Sequence, residues 1–188
     1  YIEFGFAEGR AVDFDALRYI ASHGDLIPVL SADAVAGAQH FIEFGFGEGR
    51  GLTFDAATYV ASHADLISIF GSNLDAATQH YIEFGFGEGR AVNFSGDDYL
   101  ASNVDLIAFF GADTEAAILH YIEFGAAEGR SVMFDGFRYL ASHADLRALF
   151  GTVTAAASQH FVDFGVGEGR VLTFCGLTCG VLACGRIV

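Results

Sequence analysis

A block of 40 residues recurs through this chain without insertions or deletions between its copies. The same register returns an arginine, a histidine, a tyrosine, a phenylalanine and an aspartate in almost every copy. The tripeptide Glu-Gly-Arg marks the period and ends at Arg10, Arg50, Arg90, Arg130 and Arg170. Such self-similarity is typical of solenoids, in which one unit buries its apolar face by stacking on the next. The sequence therefore predicts about four and a half tandem units over residues 1–174, with complete units at 11–50, 51–90, 91–130 and 131–170.

Capping residues divide each unit into short helices. In the unit 51–90, Asp55 is a good N-cap for a first helix that ends near His63. Asp65 is then placed to cap a second helix, which Gly71 stops at a C′ position. We therefore expect two helices in the first half of every unit.

A third helix is expected from about Asn73 to Gly85. Its apolar residues in the first unit recur with a helical period and predict a face turned to the core. They are Ala34, Val35, Ala38, Phe41 and Ile42. Residues 85–90 are too rich in glycine for a helix and predict a turn with positive φ angles. The fold class is therefore all-α, a solenoid or superhelix of units with three short helices and a Gly-rich turn.

The charge of the chain limits its partners. The formal net charge is −15, from 24 acidic and 9 basic residues, and every basic residue is an arginine. Such a surface repels nucleic-acid phosphates and anionic membranes, so no nucleic-acid partner is expected. No apolar run approaches the ~18 residues of a membrane-spanning helix. An acidic surface without lysine suits solubility outside the cell and a loose attraction of cations such as Ca²⁺.

The last residues depart from the repeat. All three cysteines, Cys175, Cys179 and Cys184, lie there, and neither a disulfide framework nor a zinc site fits their number and spacing. In register, residues 181–185 should resemble Ala-Ser-His-Ala-Asp, but they read Val-Leu-Ala-Cys-Gly. The codons for Ser-His-Ala-Asp can encode Ala-Cys-Gly when they are read in a shifted reading frame. We therefore interpret residues 175–188 as a degenerate or out-of-frame tail of a fifth unit, which the coding DNA can test.

The Glu-Gly-Arg segment predicts structural ion pairs. The string Gly-Phe-Gly-Glu-Gly-Arg resembles a phosphate-binding loop, but a helix precedes it and the lysine of a Walker motif is absent. Because the planar guanidinium can hold several acceptors, we expect each arginine to bind carboxylates and fasten neighbouring units. The expected inter-repeat residues are Glu48, Arg50, Glu88, Arg90, Glu128, Arg130, Asp65, Asp105 and Asp145.

Histidines recur at two places in the unit. His23, His63 and His143, with Asn103 in the third unit, are interpreted as caps at the end of the first helix. The second set shares a helical face with a carboxylate three residues later and forms candidate metal ligands. These candidates are His40 with Glu43, His80 with Glu83 and His120 with Glu123. An inter-repeat hydrogen bond is favoured over a metal for this set, because two ligands per unit make an incomplete site.

The breaks in the repeat do not indicate catalysis. Chemistry is needed once, whereas packing is needed in every unit, so an active site should appear as polar residues that break the pattern in adjacent copies. Arg18 and Arg138 break the pattern three units apart, and Asp97 with Asp98 is interpreted as a solvated helix start. We therefore expect no enzyme and no cofactor. Neither an EF-hand loop nor a calcium-binding nonapeptide is present, so Ca²⁺ stays an open alternative that only the acidic composition favours.

Residues 59–67, Tyr-Val-Ala-Ser-His-Ala-Asp-Leu-Ile, and residues 80–90, His-Tyr-Ile-Glu-Phe-Gly-Phe-Gly-Glu-Gly-Arg, carry a family resemblance. They resemble a short tandem repeat of large bacterial proteins, with Tyr-x-x-x-Asn-Pro-Asp-Leu and His-Tyr-x-x-x-Gly-x-x-Glu-Gly-Arg. This repeat is found in secreted or surface proteins, often beside RTX-type calcium-binding segments, and in some cell-surface glycosyltransferases. The present chain has His-Ala-Asp or Asn-Val-Asp in place of Asn-Pro-Asp and lacks the calcium-binding nonapeptide and a transferase domain.

The resemblance implies an extracellular or cell-surface location. We expect a noncatalytic structural module whose partners are copies of itself or further repeats of a longer chain. Because the sequence begins and ends inside a unit, head-to-tail association into filaments is the specific hypothesis. The alternative is a surface module that binds Ca²⁺ or a glycan through its aromatic and carboxylate side chains.

Overall fold

The computed structural model describes residues 13–170, which are helical throughout, with short turns between helices and no strand. First helices span Ala16–Ala21, Ala56–Ala61, Gly96–Ser102 and Gly136–Ser142. Second helices span Ile27–Leu30, Ala64–Phe70, Val104–Phe110 and Ala144–Phe150. Third helices span Ala34–His40, Leu74–His80, Thr114–His120 and Thr154–His160, and each continues into a π-helical segment at Phe41–Gly45, Tyr81–Gly85, Tyr121–Gly125 and Phe161–Gly165. The predicted all-α repeat architecture is confirmed, whereas the predicted tail at 175–188 lies outside the described residues.

Side-chain caps begin the first and third helices, as the sequence indicates. Asp55 accepts a hydrogen bond from the N–H of Thr58, and Asp15, Ser95 and Asp135 do the same in the other units. The third helices are capped by Asp33, Asn73 and Asp113. The fourth unit has Val153 at this position, and its third helix begins without a side-chain cap.

In the second, third and fourth units the second helix begins earlier than the sequence predicts. His63 is the N-cap of Ala64–Phe70, so Asp65 lies in the first helical turn and does not cap it. A carboxylate in the first turn still stabilises the helix through its dipole, and its oxygens stay available for other partners. The helix ends at Gly71, whose φ of 51° confirms the predicted C-terminal glycine. In the first unit Ser31 takes this position with a φ of 50°.

The π-helical segment was not predicted from the sequence, which indicates only a third helix running to Gly85. The wider turn is closed by a hydrogen bond of 2.8 Å from the N–H of Phe86 to the carbonyl of Tyr81. It brings the Cα of Gly85 against the hydroxyl of Tyr59, where a Cβ would overlap the oxygen. Glycine at this position is therefore required by a close approach of the backbone to a buried side chain. The turn that follows contains Gly89 at a φ of 68°, as predicted.

Neighbouring units pack through a fixed pair of elements. The third helix and π-helical segment of one unit lie against the first helix of the preceding unit. The centre of each unit is a tyrosine with no exposed surface, at Tyr19, Tyr59, Tyr99 and Tyr139. Phe54 stacks on Tyr81 with ring centroids 4.5 Å apart, and Tyr81 meets Tyr59 edge to face at 5.0 Å. Each unit therefore has its own cluster of aromatic rings at its centre, and the array repeats this cluster. None of the helices in residues 13–170 is long and apolar enough to cross a membrane.

Candidate functional site

The Glu-Gly-Arg turn forms an ion-pair triad in each complete unit. Arg90 donates from Nε to Glu88 at 2.6 Å and from Nη1 to Asp65 at 2.7 Å. A bond of 2.9 Å from the N–H of Arg90 to the carbonyl of Gly85 closes the turn that positions the guanidinium. The equivalent triads are Asp25–Arg50–Glu48, Asp105–Arg130–Glu128 and Asp145–Arg170–Glu168. The expected pairing of these side chains is thus present in every unit.

The triads do not join neighbouring units, contrary to our expectation. Arg90 and its carboxylates all belong to the unit 51–90, because the turn folds back onto the second helix of its own unit. The hydrogen bond from Arg170 lowers the pKa of Asp145 to about 2, and the arginines lower the pKa of Asp25 and Asp65 in the same way. The aspartates are more than half exposed and the glutamates about half exposed, so each triad contributes little to stability. The triads therefore position the turn and are unsuited to fastening the array.

The histidines proposed as metal ligands are hydrogen-bonded to the central tyrosines. Nδ1 of His80 lies 2.9 Å from the hydroxyl of Tyr59, and the pairs Tyr19–His40, Tyr99–His120 and Tyr139–His160 repeat this contact. Burial raises the pKa of the Tyr59 phenol to about 12, so it keeps its proton and can donate it to the ring nitrogen. Both partners lie in one unit, so this bond is structural but is not the inter-repeat bond that the sequence favoured.

The candidate metal ligands do not assemble into a metal site. Glu43 and Glu83 accept hydrogen bonds of 2.8 Å from Gln39 and Gln79. Within residues 13–170 no three side chains of His, Cys, Asp or Glu lie close enough together to hold a metal ion. The residues His40, Glu43, His80, Glu83, His120 and Glu123 thus give no structural support for a metal.

A serine at the end of the first helix in each of the first three units binds the next unit. The Oγ of Ser62 accepts hydrogen bonds of 3.0 Å from the N–H groups of Asn93 and Phe94, and it donates to the carbonyl of Thr58 at 2.7 Å. Ser22 and Ser102 make the same contacts across their junctions. One hydroxyl therefore satisfies two successive backbone amides of the segment that enters the next unit. This role of the serines was not predicted from the sequence.

The residue after the serine makes a second bond across the junction. Nε2 of His63 lies 2.8 Å from the carbonyl of Ala91, and because a carbonyl only accepts, this nitrogen carries the proton. His23 binds Gly51 in the same way at 3.0 Å. The interpretation of these histidines as caps of the first helix is therefore incomplete. Asn103 preserves the bond, since its amide donates to the carbonyl of Ser131 at 3.1 Å.

One isoleucine position distinguishes an occupied stacking face from an open one. Ile82 and Ile122 are 4% exposed, because they pack against the first helix of the preceding unit. Ile42 occupies the same position in the first unit and is 77% exposed. Val35 is also exposed there, so the predicted core face of this helix is wrong for these two residues in the first unit. We call the surface around Ile42 the open stacking face. Val35 is not part of it, because Asp75 and Glu115 at the equivalent position stay exposed inside the array.

The junction between the third and fourth units is polar. Asp97 is half-buried there, and Asp98 is hydrogen-bonded to Ser158, which is buried in the fourth unit. Burial raises the pKa of Asp97, with further contributions from the carboxylates of Asp163 and Asp98. The interpretation of Asp97 and Asp98 as a solvated helix start is therefore wrong. At the other two junctions, apolar Leu17 and Ala57 stand in the place of Asp97.

No protein-family model, characterised protein or solved structure matches this chain at a significant level.

Proposed function

We propose that this chain is a noncatalytic structural module of a secreted or cell-surface bacterial protein, and that it assembles by stacking further repeat units end to end. The observation that carries this proposal is the 77% exposure of Ile42 at a position that is 4% exposed when a preceding unit covers it. A further unit bound to the open stacking face would remove this apolar surface from water.

The opposite end of the array presents the complementary element. The first helix of the fourth unit exposes 61% of Phe137, and it also exposes Ala141, whereas the equivalent Ala57 and Ala61 are 5% exposed within the array. A contact between this helix and the open stacking face of another copy would repeat the internal junction. Such a contact is heterologous, so it propagates head to tail into a filament when its rotation does not close a ring.

The polar side chains repeated in every unit support a structural role. The arginines bind carboxylates, the histidines bind tyrosines, and the serines bind backbone amides of the next unit. Each of these groups is therefore used to position the backbone of the repeat. The resemblance of residues 59–67 and 80–90 to repeats of secreted bacterial proteins supports the proposed location.

Light scattering of the purified chain over a concentration series tests this function. We expect the average mass to rise with concentration, and Ile42→Asp or Ala141→Asp to hold the chain as a monomer, because each places a charge at a position that is buried at the internal junctions. Met133→Asp is the matched control, since Met133 is 78% exposed but lies outside both faces. A wild-type chain that stays monomeric at every concentration refutes the proposed self-assembly.

A further inference from the structure

Two rows of large apolar side chains are exposed in every unit, including those inside the array. The first row is Phe44, Phe84, Phe124 and Phe164, with exposures between 53% and 58%. The second row is Val29, Ile69, Phe109 and Leu149, with exposures between 69% and 81%. Since the second and third units have neighbours on both sides, stacking does not cover these residues. We call the two rows together the lateral stripe.

The elements that carry the two rows meet in each unit. His80 lies between the rings of Phe70, at the end of the second helix, and Phe84, in the π-helical segment. The ring centroids are 5.2 and 5.6 Å apart. Ile69 immediately precedes Phe70, so the second row lies on a helix whose end contacts the same histidine as the first row. Repetition of the unit makes the stripe periodic along the array.

The charge beside the stripe restricts what can cover it. Each phenylalanine of the first row directly follows an exposed acidic residue, namely Glu43, Glu83, Glu123 or Asp163. Glu83 accepts its hydrogen bond from the neutral amide of Gln79, so this contact does not compensate the negative charge of the carboxylate. With a net charge of −15, a second copy laid along the stripe would bring like charges together. A cationic partner would gain both apolar burial and charge complementarity.

We propose that the lateral stripe binds a cationic amphipathic polypeptide segment, whose apolar side chains cover the exposed phenylalanines and whose Lys or Arg residues meet the adjacent carboxylates. The units offer equivalent contacts in series, so a segment that spans two of them gains from multivalency. The stripe is separate from the stacking faces at the ends of the array. The two proposals can therefore fail independently.

Binding is measured with a fluorescently labelled amphipathic helix of Leu and Lys, about 18 residues long, added to the intact chain. We expect saturable binding that weakens when salt rises to about 300 mM, because the charged contacts are screened. The double variant Phe84→Ser/Phe124→Ser should lose at least about tenfold in affinity, or about 1.4 kcal/mol. The double variant Ile69→Ser/Phe109→Ser in the second row should weaken binding as well. Two variants at different positions make it possible to separate a loss of binding from a folding defect of one of them.

The matched control is Met133→Ser, because Met133 is equally exposed but occurs in one unit only. This variant should bind the peptide as the wild type does. Equal binding of a Leu and Glu helix would overturn the proposal, because binding would then not depend on the charge of the partner. Full binding by both double variants would also overturn it, because the stripe would then not be the contact. Binding of a neutral oligosaccharide in place of the peptide would overturn the assignment of the partner.

Discussion

The stacking of units predicts very different costs for the same substitution at two equivalent positions. Ile122→Ala removes three carbon atoms from a side chain that is 4% exposed at a junction, and Ile42→Ala removes the same atoms from one that is 77% exposed. Both residues occupy the second position of a π-helical segment. The change in helix propensity is therefore the same, and only the packing differs.

The magnitudes follow from the buried fraction. Three buried carbons at ~0.8 kcal/mol each give about 2.4 kcal/mol, and the cavity left at the junction raises the loss at Ile122 to about 3 kcal/mol. Ile42 is about one quarter buried, so its replacement should cost about 0.5 kcal/mol. The expected difference between the two variants is thus about 2.5 kcal/mol.

Urea denaturation followed by far-UV circular dichroism and tyrosine fluorescence measures both losses. The measurement is made at a concentration where light scattering reports a monomer, because assembly would bury Ile42. Coincident transitions from the two signals would justify a single free energy of unfolding for the array. Losses equal within about 0.5 kcal/mol, or a larger loss at Ile42, would refute the assignment of Ile122 to a packed junction.

Three further predictions concern single positions. Asp97→Ala should raise stability near neutral pH. Between the ordinary and the raised pKa of Asp97, the native state binds more protons than the unfolded state, so stability falls as pH rises through that window. Unfolding curves at several pH values should show a weaker pH dependence in the variant. Gly85→Ala should lower the free energy of unfolding by about 3 kcal/mol, because the new Cβ would overlap the Tyr59 hydroxyl. In Gly87→Ala the new Cβ makes only an ordinary contact with the Phe84 carbonyl, so thermal melts should show this variant to be neutral or slightly stabilised. Ser31→Gly should stabilise the first unit by about 1 kcal/mol, because the serine holds a φ of 50°, and an unchanged melting temperature would contradict that strain.

Local signals in the sequence predicted local structure well. Asp55 caps a helix through atoms three residues away, so its role can be inferred from spacing alone. The 40-residue period predicted a stacked helical array for the same reason, since the repeated apolar pattern is present in every copy. Asp65 was misassigned because His63, two residues earlier, has the extended backbone of an N-cap, and the local sequence does not show where the backbone changes from extended to helical.

Contacts between units could not be predicted from a single copy. Ser62 binds amides 31 and 32 residues later, and nothing in its local sequence indicates which loop passes its hydroxyl. The burial of Ile82 and the exposure of Ile42 likewise depend on the presence of a preceding unit, although the two residues have almost identical neighbours in sequence. Asn103, which replaces the histidine of the other units, was the one signal of a contact between units. Both side chains have an N–H donor that can reach a carbonyl of the next unit.

The serine contact at each junction has a consequence for how such a chain can vary in length. Ser22, Ser62 and Ser102 each bind only the segment that enters the next unit, so every junction is completed by two consecutive copies and needs no third. Duplication or loss of a whole copy would thus leave the remaining junctions with the same partners. A gene built from such copies can lengthen or shorten its product in steps of 40 residues. Selection should then remove recombinants that lose the reading frame or the repeat register more strictly than those that differ only in the number of copies.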